Sequence, residues 1–304
     1  MGHDHAHGAR RAGNSRRMWI ALAINLAMLV AAVAGGLITG SLALLADAGH
    51  VISDVGAIGL GLAAAGLASR PGAGRRTFGY ERSEVIAALA NGVALVVIAV
   101  LIVVAAIGRL SDPPDVEATG MVVIGVVGLA GNALAAWVLA RGDRSDINLE
   151  GVLRHAAADA LGSLAVVASG IVILAGGGLI ADPIASLAIA VLITASSVRL
   201  IREPLDVLME SAPEGVDPDE LGRAICDTAG VVSVHELHVW TVTSGFDALA
   251  AHVVVGEAGD RDRARREVEY LLRDRFGIEH TTLQMEEAGR EGELLDLQLP
   301  LQSP

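Results

Sequence analysis

Six long apolar stretches separated by short polar links fill the first two thirds of the chain, at roughly residues 18–39, 42–68, 84–108, 119–140, 152–176 and 180–200. Each is long enough to cross a bilayer core, which takes about 20 helical residues. The pattern changes after residue 203. Asp217-Pro218-Asp219-Glu220 reads as a helix start, with Asp as N-cap, Pro at the first helical position and acid in the first turn. That helix is expected to run to Thr228 and stop at Gly230. Val231–Thr243 and Phe246–Val255 are rich in β-formers and flank a Ser244-Gly245 turn. Asp260–Phe276 predicts a helix with Val268, Leu271 and Leu272 on one side, and Thr281–Glu286 a short strand. The C-terminal order is therefore αββαβ.

Composition agrees with this division. Of 304 residues, 53% are hydrophobic and 19% charged, with a mean hydropathy of +0.54, too apolar for an ordinary soluble domain. Residues 1–202 are near neutral, while residues 203–304 carry 8 Arg against 22 acids, a net of −14. That field attracts divalent cations and disfavours nucleic acid. All 22 basic residues are Arg. Of those flanking the spans, twelve (Arg10, Arg11, Arg16, Arg17, Arg70, Arg75, Arg76, Arg82, Arg141, Arg144, Arg199 and Arg202) fall on one side of a six-helix arrangement and Arg109 alone on the other. The bias predicts that both termini are cytoplasmic. The first span is long and lacks a cleavage site, so a cleaved signal peptide is not expected. Cys226 stands alone and excludes an intrachain disulfide or thiolate cluster.

Within the spans, one spacing occurs twice: His50-x-x-x-Asp54 and His155-x-x-x-Asp159. Residues four apart share a helix face, roughly 5–6 Å apart by Cβ, so each pair offers half of a tetrahedral shell. Two imidazoles and two carboxylates in that geometry suit Zn²⁺. Asp47 lies one turn ahead of His50, as a pathway residue or a support to the ligands. Asn25 and Asn132 also sit in spans, where interhelical hydrogen bonding is the expected role and lining of the ion path the alternative. A shell closed by four protein ligands leaves no position for a reacting water, and the His-Glu-x-x-His motif of zinc hydrolases is missing. Protons compete with metal for imidazole and carboxylate. A site exposed alternately to the two sides would therefore exchange zinc for protons.

Longer runs around these residues resemble the cation diffusion facilitator family. Ser41-Leu-Ala-Leu-Leu-Ala-Asp47-Ala-Gly-His50-x-x-x-Asp54 is similar to its second helix, and Thr77-Phe-Gly-Tyr80-x-Arg82-x-Glu84 to its loop into the third. His155-x-x-x-Asp159 falls where its fifth helix carries ligands, and His235-Glu-Leu-His238-Val-Trp240 resembles the start of its cytosolic domain. The resemblance covers about residues 18–287. It implies proton-coupled export of divalent metal from the cytoplasm by a homodimer, with His₂Asp₂ going with zinc and often tolerating cadmium or cobalt. It also implies a ferredoxin-like cytosolic domain with its own metal site. The loop Arg70–Arg82 has no His and the link at 141–150 is short, so two sites or insertions found in other members are not expected here.

Hairpin pairing about Ser244-Gly245 places His235 opposite Val254 and His252 opposite Leu237, so that His235 and His252 are diagonal neighbours on one face. Glu286 and His280 from the last strand would join them in a second zinc site; the competing reading is ordinary half-buried strand residues. His238 is expected on the other face, in a structural role. His3, His5 and His7 read equally as a tail that hands zinc to the channel mouth and as an accidental weak chelator, and Arg290–Pro304 as a tail without assigned role.

The sequence thus predicts an all-α six-helix transmembrane domain (18–203) after a cytosolic tail (1–17). A small α+β ferredoxin-like cytosolic domain (204–287) and a flexible tail (288–304) follow. The expected function is proton-coupled zinc efflux across the inner membrane, not enzymatic catalysis, with zinc as cargo, lipid as surroundings and no cofactor. A cadmium, cobalt or broad-range exporter and a non-transporting metal sensor or scaffold are the alternatives.

Overall fold

The computed structural model describes residues 26–140, 148–256 and 259–289, with only the backbone described for 135, 136, 138–140 and 148–158. The histidines at 3, 5 and 7, Asn25, the 141–147 link and the tail from Arg290 lie outside the described residues.

Among the described residues the helices that come first are α1 (Leu26–Thr39), α2 (Leu42–Ala68), α3 (Ser83–Ser111), α4 (Ala118–Ala140), α5 (Asn148–Leu174) and α6 (Ala181–Leu208). Among the described residues, α2, α3 and α6 are long and apolar enough to cross a membrane, and the apolar stretches Leu26–Thr39, Ala118–Leu134 and Asp159–Leu174 are shorter. Gly40, at φ +71°, separates α1 from α2 in a left-handed conformation that a side chain would resist. α6 runs eight residues beyond its apolar stretch, through Pro204.

Contacts divide the chain into two compact units. One comprises Met1–Ala63 with Ala87–Ile201, the other Ala64–Ile86 with Arg202–Pro304. The core of the first contains Leu44, Leu95, Met121, Val166, Ile189 and Ile193, interleaved with Ala43, Ala46, Ala99 and Ala190. Small residues let helices approach closely where lipid replaces water and hydrophobic exclusion no longer drives packing. A Cβ on Gly170 of α5 would lie 2.6 Å from Val122 of α4. Leu62, Leu101, Val104 and Val191 point outward instead, as side chains do in contact with lipid.

One polar junction ties the first unit together. Asp182, in the first turn of α6, is buried and accepts from the Ser41 hydroxyl at 2.6 Å and the Leu42 and Ala43 amides at 2.8 and 3.1 Å. It thereby caps the N-terminus of α2 from another helix, meeting amides that have no intrahelical partner and complementing the positive end of the dipole. Arg109, in the last turn of α3, lies 3.7 Å from the same carboxylate and donates to the Gly40 carbonyl at 2.7 Å. The lone arginine of the sequence reading therefore balances this buried acid.

The second unit carries α7 (Pro218–Cys226), β1 (Val231–Thr243), β2 (Phe246–Val255), α8 (Arg261–Phe276) and β3 (His280–Glu287). Asp217 caps α7 by accepting from the Asp219 amide, and α7 ends two residues before the expected Thr228. Asp260 caps α8, which closes on Gly277 at φ +71°. The sheet order is β1-β2-β3, with β1 and β2 antiparallel and β3 parallel to β2 through the α8 crossover. Leu221, Ile225, Val239, Leu249, Ala251, Val253, Val268 and Leu272 form the core between one sheet face and the two helices.

Candidate metal centres

α2 presents His50 two turns after its capped start, about 12 Å along the axis, and Asp54 one turn later. α5 brings Asp159 against them. His50 Nε2 lies 3.2 Å from Asp159 Oδ1 and 3.8 Å from Asp54 Oδ2, and one ligand atom from each residue falls within 4.8 Å of the others. All three are largely shielded from solvent. The backbone of His155 is on α5, one turn before Asp159; its side chain lies outside the described residues. Three of the four expected ligands therefore converge on one point from two helices.

Asp47 is held beside them. The Ser163 hydroxyl on α5 donates to Asp47 Oδ2 at 3.3 Å, and a Cβ on Gly162 would stand 2.6 Å from Asp47 Oδ1. The approach of this carboxylate to α5 depends on the absence of a side chain at 162. Sequence reading missed both residues. The signal was there, since Ser163 follows Asp159 by four and shares its face.

A second cluster lies on the sheet face of the C-terminal unit that α7 and α8 do not cover. His235 and His252 are direct cross-strand partners with ring centroids 5.0 Å apart. Glu286 joins both, Oε2 lying 3.0 Å from His235 Nε2 and Oε1 2.7 Å from His252 Nδ1. Gln284, also unforeseen, donates to Glu286 Oε1 at 2.8 Å. Burial alone would raise the Glu286 pKa, but the bonds from Gln284, His235 and His252 outweigh it and hold the carboxyl below its ordinary range. An anion kept ionised beside two imidazoles offers the nitrogen and oxygen donors that zinc prefers.

The structure corrects three expectations here. β1 contains a bulge between His235 and His238, so pairing moves from His238↔Ala250 to His235↔His252 and the diagonal arrangement becomes a direct one. The same extra residue returns His238 to the face of His235, because their partners Ala250 and His252 are two apart on β2. His280 does not join the cluster. It begins β3 six residues before Glu286, about 20 Å away along the strand, and packs edge-on against Phe246 and Phe78 at centroid distances of 5.4 and 6.0 Å.

Residues 18–209 match the family model described as the cation efflux transmembrane domain, and residues 213–288 the one for the cation efflux protein, cytoplasmic domain. The chain belongs to the cation efflux family. As a cation diffusion facilitator it is a transport protein with an apolar helical domain followed by a small cytosolic α/β domain.

Its relatives include the "Cadmium, cobalt and zinc/H(+)-K(+) antiporter" of Bacillus velezensis, 38% identical over 95% of this chain and 93% of that one. The metal cation efflux system protein CzcD of Cupriavidus metallidurans is 38% identical over 94% and 90%. The zinc transporter ZitB of Escherichia coli is 37% identical over 94% and 93%. A solved structure described as the metal-bound C-terminal domain of the CzcD transporter is 40% identical, covering 23% of this chain and 99% of that one, with a TM-score of 0.23.

Proposed function

We propose that this cation diffusion facilitator exports Zn²⁺ from the cytoplasm in exchange for protons, through a tetrahedral site of His50, Asp54, His155 and Asp159. The observation that carries the reading is the convergence of His50, Asp54 and Asp159 from two helices, next to a second His at the same spacing. Relatives named as zinc transporters and as a zinc antiporter support the cargo and the exchange. The protein acts as a homodimer in the inner membrane, with six membrane-spanning helices up to about residue 203, both termini cytoplasmic and a ferredoxin-like cytosolic domain. His235, His252 and Glu286 hold a second zinc ion in that domain.

Proton coupling follows from the ligands. Imidazole binds metal only when neutral and carboxylate only when ionised, so proton uptake releases the ion and metal binding expels protons. The relative named for cadmium and cobalt as well as zinc favours a broader range as the second reading. Zinc flux into proteoliposomes under an imposed pH gradient tests both. Wild type is expected to transport when the gradient is present, Asp159→Ala to lose that flux, and zinc to outcompete cadmium and cobalt. Flux retained in Asp159→Ala would remove the four-ligand site.

A further inference from the structure

The bulge that pairs His235 with His252 places Glu236 at φ +48°, a left-handed conformation that non-glycine residues rarely adopt. In an unbroken strand residue 236 would face away from His235 and its partner. Here its carboxylate reaches back, and Glu236 Oε2 lies 3.5 Å from His252 Nε2.

The other ring nitrogen faces the cluster. His252 Nδ1 is 2.7 Å from Glu286 Oε1 and 3.3 Å from Gln284 Nε2. The same Gln284 nitrogen donates to Glu286 Oε1 at 2.8 Å, which orients the amide with its hydrogens toward that carboxylate. Without metal Nδ1–H donates to Glu286; a cation shared with the carboxylate would replace that proton and take the Nδ1 lone pair. The ring proton then belongs on Nε2, directed at Glu236. Histidines that bind metal usually donate their other N–H to a carboxylate or carbonyl, which fixes both tautomer and ring orientation.

We propose that Glu236 is a positioning residue of the cytosolic metal site: it accepts the Nε2–H of His252 and so aims Nδ1 at an ion shared with His235 and Glu286. This rests on the reading of that cluster as a zinc site. The left-handed backbone at 236 is the conformation through which the bulge delivers the carboxylate. A glycine would hold the same backbone without strain but would leave His252 unheld.

The test uses the full chain in detergent with Asp54→Asn and Asp159→Asn to silence the membrane site, Zn²⁺ as probe and a competing fluorescent chelator. The parent is expected to bind zinc at a site lost on His252→Ala. Glu236→Gly should weaken binding about tenfold, the lower end of the usual range for such partners, because Glu236 is half exposed. Glu236→Gln, which keeps an acceptor oxygen, should weaken it less. In ¹⁵N-histidine spectra of the zinc-loaded protein, the His252 Nε2–H should exchange with water more slowly in the parent than in Glu236→Gly. A purely conformational role predicts the reverse for glycine: equal affinity and higher thermal stability. Affinity within twofold of the parent in Glu236→Gly overturns the proposal while leaving the zinc site standing. A parent that binds no zinc overturns the site and the proposal together.

Discussion

Asp47 shows how a single missing methyl group shapes the membrane site. Its carboxylate occupies the space that a side chain on Gly162 would fill and receives one hydrogen bond from Ser163. Gly162→Ala is therefore expected to displace Asp47 and lower zinc flux about tenfold or more, since small misplacements near a reacting centre are costly. Ser163→Ala should lower it less, and proteoliposome flux beside wild type measures both. In the cytosolic cluster, Glu286 is held below its ordinary value of 4.5. A depressed carboxylate adds stability that is present above the unfolded-state value and is lost as pH falls through the folded one. In metal-free protein, Glu286→Gln should be less stable than wild type above pH 4.5, and the difference should close below it. Thermal unfolding across pH 3–7 reads this; a gap that persists at the acid end would contradict it.

At the scale of elements, the start of α2 is decided by α6. Gly40 ends α1 and the amides of Leu42 and Ala43 find their acceptor in Asp182, some 140 residues later in the chain. Asp182 is 1% exposed and has Arg109 as its counter-charge. A hydrogen bond to a charged group typically contributes about 1.5–3 kcal/mol, and Asp182 accepts three. Asp182→Asn should accordingly lower the thermal unfolding midpoint in detergent sharply. Arg109→Gln, whose side chain is partly exposed and farther from the carboxylate, should do so less. Equal midpoints for Asp182→Asn and wild type would show that the cap is dispensable. Two strands were legible down to their ends, since β1 and β2 begin and finish at the residues the pattern predicts, while β3 runs one residue further at each end than expected. Their register was not, because a bulge leaves no mark in the alternation of a strand whose outer face is mixed.

At the scale of the molecule, the two units are not consecutive in sequence. Ala64–Ile86, the end of α2 with its loop and the start of α3, groups with the C-terminal residues. Phe78 of that loop packs on Phe246 and His280, with Phe78–Phe246 centroids 6.3 Å apart. This cluster sits at the end of β3 away from Glu286. A fragment of residues 209–289, which lacks Phe78, should thus bind zinc at His235, His252 and Glu286 within about threefold of the full chain, a difference under 1 kcal/mol. A tenfold difference in competition titrations would mean that the loop or the helical unit supports the site.

Local pattern settled what depends on neighbours in sequence. Runs of apolar residues specify helices suited to a membrane, Asp217 and Asp260 start their helices, and His50 with Asp54 share a face because they are four apart. Relations between distant residues belonged to the tertiary structure. It brought Asp159 to His50, set Asp182 on the α2 amides, moved His280 into an aromatic cluster, and turned Glu236 toward His252. The physical reason is common to all four. Periodicity records which face a residue occupies, whereas packing, strand register and the pairing of buried charge determine what that face meets.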